Sequence, residues 1–260
     1  MQPELHFLGI TLQTFGLMLG LAFVVCGLMC ARFLKEEGKP VDWAYEFVFA
    51  AMIGGVVGAR LWWVAENWSE AGDDVLGSLF SGSGLVFYGG AIGGAIGVLG
   101  WAWRRGWLNA RTLDMGAAPL AAGYAIGRIG CQLAGDGDYG VAWDGPWAMA
   151  YPEGTVPTTV EVHPTPVYET LSMGLVAILL WRWRHRWRPG TLFALWLVLA
   201  GVERFLVEFV RRNEDVLVGL TQAQLISLAM VAAGAAWLWL RRGFATHPAG
   251  APAPARGARA

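Results

Sequence analysis

Charge is scarce in this chain. Asp, Glu, Lys and Arg make up 15% of 260 residues, against about 25% in an ordinary soluble domain. With 55% hydrophobic residues, that shortfall argues against a soluble globular domain and for a polytopic membrane protein. Cysteine is nearly absent too. Cys26 and Cys30 lie one helical turn apart in an apolar run, and Cys131 has no evident mate, which excludes a disulfide framework. No His/Cys group has metal-ligand spacing. A Gly-x-Ser-x-Gly elbow and a Walker loop are both missing, which leaves serine hydrolysis and ATP use without support. No basic stripe with interleaved aromatics exists, so nucleic acid is not an expected partner. Nor is there the two-halved repeat common among transporters.

What is present is a set of seven apolar stretches, each near the roughly 20 residues a bilayer crossing takes. They lie near 8–31, 43–64, 84–103, 112–133, 166–183, 190–210 and 221–240. The expected fold is therefore an all-α integral membrane protein, a seven-transmembrane-helix bundle over residues 1–244. Met1 to Phe7 carries no Lys or Arg, the wrong flank for a cleavable signal, so the first run reads as a retained helix. Residues 245–260, rich in Ala, Pro, Gly and Arg, have little to bury and read as a disordered cytoplasmic tail.

Sidedness follows from the basic residues. They follow spans 1, 3, 5 and 7 (Arg32, Lys35 and Lys39; Arg104, Arg105 and Arg111; Arg182 to Arg188; Arg241 and Arg242), whereas loops 65–83 and 134–165 hold no Lys or Arg. The positive-inside rule places the N-terminus outside and the C-terminus in the cytoplasm. Tryptophans at the span ends, among them Trp62, Trp101, Trp181 and Trp237, fit interfacial belts. Gly54 and Gly58 in span 2, and Gly89, Gly93 and Gly97 in span 3, recur at four-residue spacing. That spacing reads as close helix packing in lipid rather than chemistry.

Against this background two arginines stand out. Arg128 and Arg204 sit inside apolar spans, where an ionised side chain costs roughly 2.5 kcal/mol or more without a partner or a task. Counting 1.5 Å per residue from the outer ends places both on the order of 8–10 Å deep in the outer leaflet. Arg60, Tyr88, His163, Tyr168 and Glu169 fall near the same face. Arg204, Glu208 and Arg211 lie at i, i+4 and i+7, one helical face. They form either a structural ion-pair ladder or a site that leaves one arginine for an anionic head group, which a planar guanidinium suits. Arg128 has the same two readings, with Glu169, Glu203 or Glu46 as structural partner. His163, before Pro164, is a general base or a junction residue. Glu46 and Asp114, toward the cytoplasmic end, read as structural. Loop 134–165 is long, acidic and outward-facing, and loops of that length commonly have a role.

These residues, in this order, resemble the prolipoprotein diacylglyceryl transferase family over nearly the whole chain. Gly127-Arg128-Ile129-Gly130 with Tyr139-Gly140, His163-Pro164-Thr165-Pro166-Val167-Tyr168-Glu169, and Arg204-Phe205 through Glu208 to Arg211 carry the likeness, with Gly58-Ala59-Arg60-Leu61 and Gly89-Gly90. The resemblance implies a multi-pass enzyme of the bacterial cytoplasmic (inner) membrane. It would transfer the diacylglyceryl group of phosphatidylglycerol to the lipobox cysteine thiol of a prelipoprotein signal peptide, releasing glycerol phosphate. It implies that Arg128 and Arg204 hold and polarise the lipid phosphate, and that no metal or organic cofactor is needed. Arg60, Glu208, Arg211, Tyr139, Asp138 and Tyr168 would bind substrate, with the nucleophile supplied by the acceptor. Four positions depart from the family pattern. Tyr88 replaces its histidine, Cys131 its asparagine and Phe15 a tyrosine, and Ala134 to Asp138 runs one residue longer. Tyr88, His163, Asp136 and Asp138 are then candidates for acid–base work. The alternative is a divergent paralogue that binds phospholipid or uses another acceptor.

Overall fold

The computed structural model describes residues 1–7, 10–68 and 86–241, and among them the chain is dominated by seven long helices. These are α1 (Thr14–Glu36), α2 (Trp43–Glu66), α3 (Phe87–Arg104), α4 (Ala110–Ala134), α5 (Thr165–Arg182), α6 (Thr191–Val207) and α7 (Gln222–Arg241). Each of the seven apolar stretches becomes one helix, displaced by a few residues at its ends. By length and composition α1, α2 and α7 can each cross a membrane. Most of loop 65–83, from residue 69 on, and the tail 245–260 lie outside the described residues.

Three antiparallel hairpins accompany the helices: β1 (Glu4–Phe7) with β2 (Ile10–Gln13), β3 (Met149–Tyr151) with β4 (Thr158–Val162), and β5 (Asp215–Leu217) with β6 (Leu220–Thr221). The first corrects the start of span 1. Residues 10–13 are strand, not helix, because Gln13 donates to Glu4 across the pair and Thr14 donates to the Pro3 carbonyl through both its amide and its hydroxyl. The expected span 6 also ends early. α6 stops at Val207, and Glu208–Val210 tightens into a 3-10 turn.

Helices α2 and α3 form a pair sealed by glycine. A Cβ on Gly58 would lie 2.7 Å from the Gly93 Cα, and one on Gly93 would meet the Gly54 carbonyl closer still. A methyl group at either position would force the helices apart, so the glycine repeats serve packing. α1 chiefly joins this pair to α4, and α4 packs on α5 and α6, with α7 against α6. The α4–α5–α6 core is built on small residues (Ala117, Ala118, Ala121, Ala125), facing Met173, Val176 and Leu180.

Successive helices run in opposite directions, so the polar residues collect at the two ends. At one end the C-termini of α1, α3 and α5 meet the N-termini of α2, α4 and α6. Glu36 accepts from Arg184 at 2.8 Å and from Arg32 at 2.7 Å, and Arg111 donates to Glu37 at 2.6 Å. Glu46 takes Arg105 and the Trp101 indole. Asp114 accepts the backbone amides of Gly190 and Phe193 at 2.7 and 3.0 Å, which ties the start of α6 to α4. Both Glu46 and Asp114 thus have structural work there.

Candidate active site

The opposite end gathers the residues singled out by the sequence. α4 ends at Gly135, whose φ of 58° is the left-handed conformation glycine takes without a Cβ penalty. The chain then turns back over the helix end. Gly140 donates to the His163 carbonyl and Val141 to the Val210 carbonyl, both at 2.8 Å. These two bonds latch loop 134–165 to the start of α5 and the end of α6. A side chain at Gly140 would collide with the Val210 carbonyl, so only glycine closes this latch.

The latch delivers Asp138 to Arg128. That carboxylate bonds Arg128 through one oxygen and Arg211 Nη2 through the other at 2.5 Å. Glu169, fully buried on α5, approaches the same two guanidiniums, at 3.0 Å from Arg128 Nε and 3.4 Å from Arg211 Nη1. Tyr124, one turn before Arg128 on α4, donates to Glu169 at 2.7 Å and accepts from Arg128 at 3.1 Å. Thr165 donates its hydroxyl to the Asp138 carbonyl at 2.5 Å. Burial works to raise the Asp138 carboxyl, but the guanidiniums of Arg128 and Arg211 overcome it and hold it below the ordinary carboxylate range. The result is a lattice of two cations and two anions drawn from α4, α5 and the segment after α6.

A second group adjoins it. Arg204 lies 2.5 Å from Glu208, which also accepts from Thr221 and Asn213 at 2.7 Å each and lies 3.9 Å from Arg211 Nε. The expected helical ladder of Arg204, Glu208 and Arg211 is therefore only half helical. The 3-10 turn leaves Arg211 in extended backbone with ψ 170° and directs it to Asp138 and Glu169. Arg204 Nη1 and Glu208 Oε2 are buried and face each other at 2.5 Å, whereas Arg211 Nε is buried and makes no aligned hydrogen bond among the described residues. A buried donor without an aligned acceptor keeps its desolvation cost. An anion with several oxygens is the chemistry that would relieve it.

The other expected residues are more dispersed. His163 stacks on Trp143 with ring centroids 4.3 Å apart, and its Nδ1 lies 3.2 Å from the Tyr168 hydroxyl. Tyr168 also accepts from the Trp147 indole at 2.8 Å. His163 and Tyr168 are thus brought together, beside the latch but not within the arginine lattice. Tyr139 is buried against Tyr151 and donates to the Val156 carbonyl at 3.0 Å, supporting the loop from inside. Arg60 is 6% exposed on α2, and Tyr88 is half-buried at the start of α3, where Val86 donates to the Ala59 carbonyl. These two belong to the α2–α3 pair.

Two contributors were not singled out from sequence. Tyr124 had a signal, its i, i+4 spacing to Arg128. Thr221, donated by the β5–β6 hairpin, had none, since only the fold returns it to Glu208. Cys131, Asp136 and Asp138 each bring one ligand atom within 4.8 Å of one another, a grouping the linear spacing hid. Asp138 is engaged by two guanidiniums, Cys131 Sγ lies 3.8 Å from Arg128, and Asp136 accepts the Asp138 amide at 3.3 Å.

The family model described as prolipoprotein diacylglyceryl transferase matches residues 3–240. A phosphatidylglycerol–prolipoprotein diacylglyceryl transferase of Clostridium tetani is 30% identical over 90% of this chain and 95% of its own. Proteins of the same name from Erythrobacter litoralis and Dehalococcoides mccartyi are each 31% identical. They cover 87% and 86% of this chain, and 84% and 86% of their own. With its paired arginines bound to a turned-back loop and its sequence matched almost end to end, the chain belongs to the prolipoprotein diacylglyceryl transferase family.

Proposed function

We propose that this enzyme transfers the diacylglyceryl group of phosphatidylglycerol to the lipobox cysteine thiol of a prelipoprotein at the outer face of the bacterial inner membrane. The observation that carries the reading is the arginine set. Arg128, Arg204 and Arg211 converge at one end of the bundle, and Arg211 Nε is buried without an aligned acceptor among the described residues. Support for seven crossings, with the N-terminus outside, comes from the seven alternating helices and from the sorting of Lys and Arg to one side.

In this reading the head-group phosphate lies against Arg204 and Arg128, with Arg211, Glu208 and Asp138 fixing their direction. The substrate thiol attacks the glycerol carbon that bears the phosphate. A carbon–sulfur bond forms as the carbon–oxygen bond breaks, and glycerol phosphate leaves with the electron pair. Preset guanidiniums in a water-poor site stabilise the charge as it gathers on the leaving oxygen, a contribution of roughly 10²–10³ in rate per donor in comparable sites. Asp138 and Glu169 keep Arg128 in place before substrate arrives. The thiol proton passes to His163, which Tyr168 and Trp143 hold in orientation. Arg60, Tyr139 and Tyr168 complete the lipid site, Tyr139 by holding the loop.

The test is transfer of labelled diacylglyceryl from phosphatidylglycerol to a lipobox-cysteine peptide. Label on the peptide with the wild-type chain, and its loss in R128A and R204A with folding retained, supports the assignment. Transfer that persists in both variants overturns the arginine clamp. The departure at Tyr88 favours one second reading, a paralogue that binds phospholipid and uses another acceptor. Phosphatidylglycerol binding without release of glycerol phosphate to any lipobox peptide distinguishes it.

A further inference from the structure

The hairpin between α6 and α7 breaks a local rule. Leu217 pairs with Leu220, so the turn consists of Val218 and Gly219 alone, with φ values of 54° and 71°. Both lie in the left-handed region, the signature of a two-residue hairpin turn that normally takes Asn-Gly. Gly219 suits it. Val218 does not, because a β-branched residue at positive φ is a genuine outlier. It is the only non-glycine residue with positive φ among the described residues. Packing does not explain its presence, since Val218 is 88% exposed among the described residues. Its neighbours Val216 and Leu217 are exposed as well.

This apolar tip is not isolated. Leu206 near the end of α6, Phe209 in the 3-10 turn after it, and Ile226 and Leu228 on α7 are exposed large apolar residues too. α7 is long and apolar enough to cross a membrane, and exposed aliphatic residues on such a helix face lipid. The same hairpin carries Thr221, whose hydroxyl holds Glu208 beside Arg204. The strand that leaves the tip thus leads directly into the arginine site.

We infer that the Val216–Val218 tip is a membrane-dipping anchor, its side chains seated in the interfacial layer of the bilayer beside the α6–α7 face. Lipid contact is what a valine gives at this position and an asparagine does not. The anchor fixes the height of Thr221 and Glu208 relative to the lipid head groups. This inference rests on the membrane-spanning reading above, and the experiment separates the two.

The experiment places an environment-sensitive fluorophore on V218C, and separately on L206C, in the full chain reconstituted in phosphatidylglycerol and phosphatidylethanolamine vesicles. The wild-type chain reports labelling of Cys26, Cys30 and Cys131. Nitroxide lipids labelled near the head group are expected to quench the Val218 site at least two-fold, with iodide in the aqueous phase having little effect. Quenching by iodide and not by nitroxide lipid at Val218, with Leu206 still quenched by lipid, overturns the anchor alone. Failure of lipid quenching at both positions overturns the membrane reading with it. Protection from iodide that appears only when a lipobox peptide is added assigns the tip to the peptide and also overturns the anchor. V218N supplies a check that does not depend on the label. It relieves the turn, so its unfolding midpoint in detergent is expected to rise while its transfer rate in vesicles falls several-fold. A rate equal to wild type in vesicles counts against the anchor.

Discussion

The two ends of the bundle use the same ingredients and reach different results. At one end Glu36, Glu37, Asp114 and Glu46 meet Arg184, Arg111, Arg105 and helix-end amides, and Arg32, Arg105 and Glu46 remain substantially exposed. At the other, Glu169 and Glu208 are fully covered side chains, and Arg211 and Arg128 nearly so. At the first end the Arg32–Glu36 and Arg105–Glu46 pairs lie in contact with solvent, where each contributes little, and buried Asp114 is satisfied by helix-start amides. The second places its charges inside the protein, where removing one partner costs far more than the pair gains. A buried lattice with an unaligned donor is poor value as a clamp. Its arrangement makes sense as a site already shaped for an anion.

The largest expected effect comes from breaking the buried lattice. Glu169→Ala leaves Arg128 and Arg211 sharing only Asp138, and a buried charge stripped of a partner costs about 3–5 kcal/mol. Thermal unfolding in detergent should show a large drop in midpoint, with transfer activity lost as well. An unchanged midpoint would mean that the lattice is wetter than its burial indicates.

A nearly equal effect is expected from the glycine seam, far from any charge. Gly58→Ala and Gly93→Ala place a methyl group against the facing backbone, whereas Gly55→Ala and Gly90→Ala meet their neighbours at ordinary distances of 3.5–3.6 Å. The first two should give little folded protein on expression and the second two near-normal yield. Equal outcomes across the four would contradict the α2–α3 packing.

Smaller again is the solvent-side end. Glu36→Gln removes the carboxylate that Arg32 and Arg184 share, and a loss of about 1 kcal/mol or less, with transfer activity kept, is expected. A loss of activity comparable with that of Glu169→Ala would erase the distinction between the two ends.

The last comparison concerns pH. Asp138 has its carboxyl held below the unfolded value of about 3.9. Its contribution is therefore fully present above that value and is lost as pH falls through the depressed native one. Stability of wild type and Asp138→Asn should differ by a constant amount from pH 8 to about 5 and converge in stronger acid. A difference that closes already near neutrality would place the carboxyl higher.

The helices were legible because an apolar run of bilayer length has few other uses, and all seven stretches became helices in order. The exceptions are local. Residues 10–13 are as apolar as a helix start, and only the pairing of Gln13 with Glu4 turns them into strand. The helical spacing of Arg204, Glu208 and Arg211 gave the first pair at 2.5 Å and the second only at 3.9 Å, since a 3-10 turn replaces the helix at Glu208–Val210. Asp138 and Glu169 were visible as acids, but their convergence on Arg128 requires the Gly135 and Gly140 turns to fold the loop back. Thr221 was invisible because its partner lies across a hairpin.

The latch between loop 134–165 and the end of α6 also sets an order of assembly. Arg211 follows Asp138 by 73 residues and Glu169 by 42. Chains are made from the N-terminus onward. A nascent chain that has reached α5 therefore holds Arg128 with two carboxylates, an excess of negative charge that only the arrival of Arg211 corrects. The last turn of α6 is in this sense the keystone. Until it is in place, the turned-back loop has neither its second cation nor the Val210 carbonyl that receives Val141.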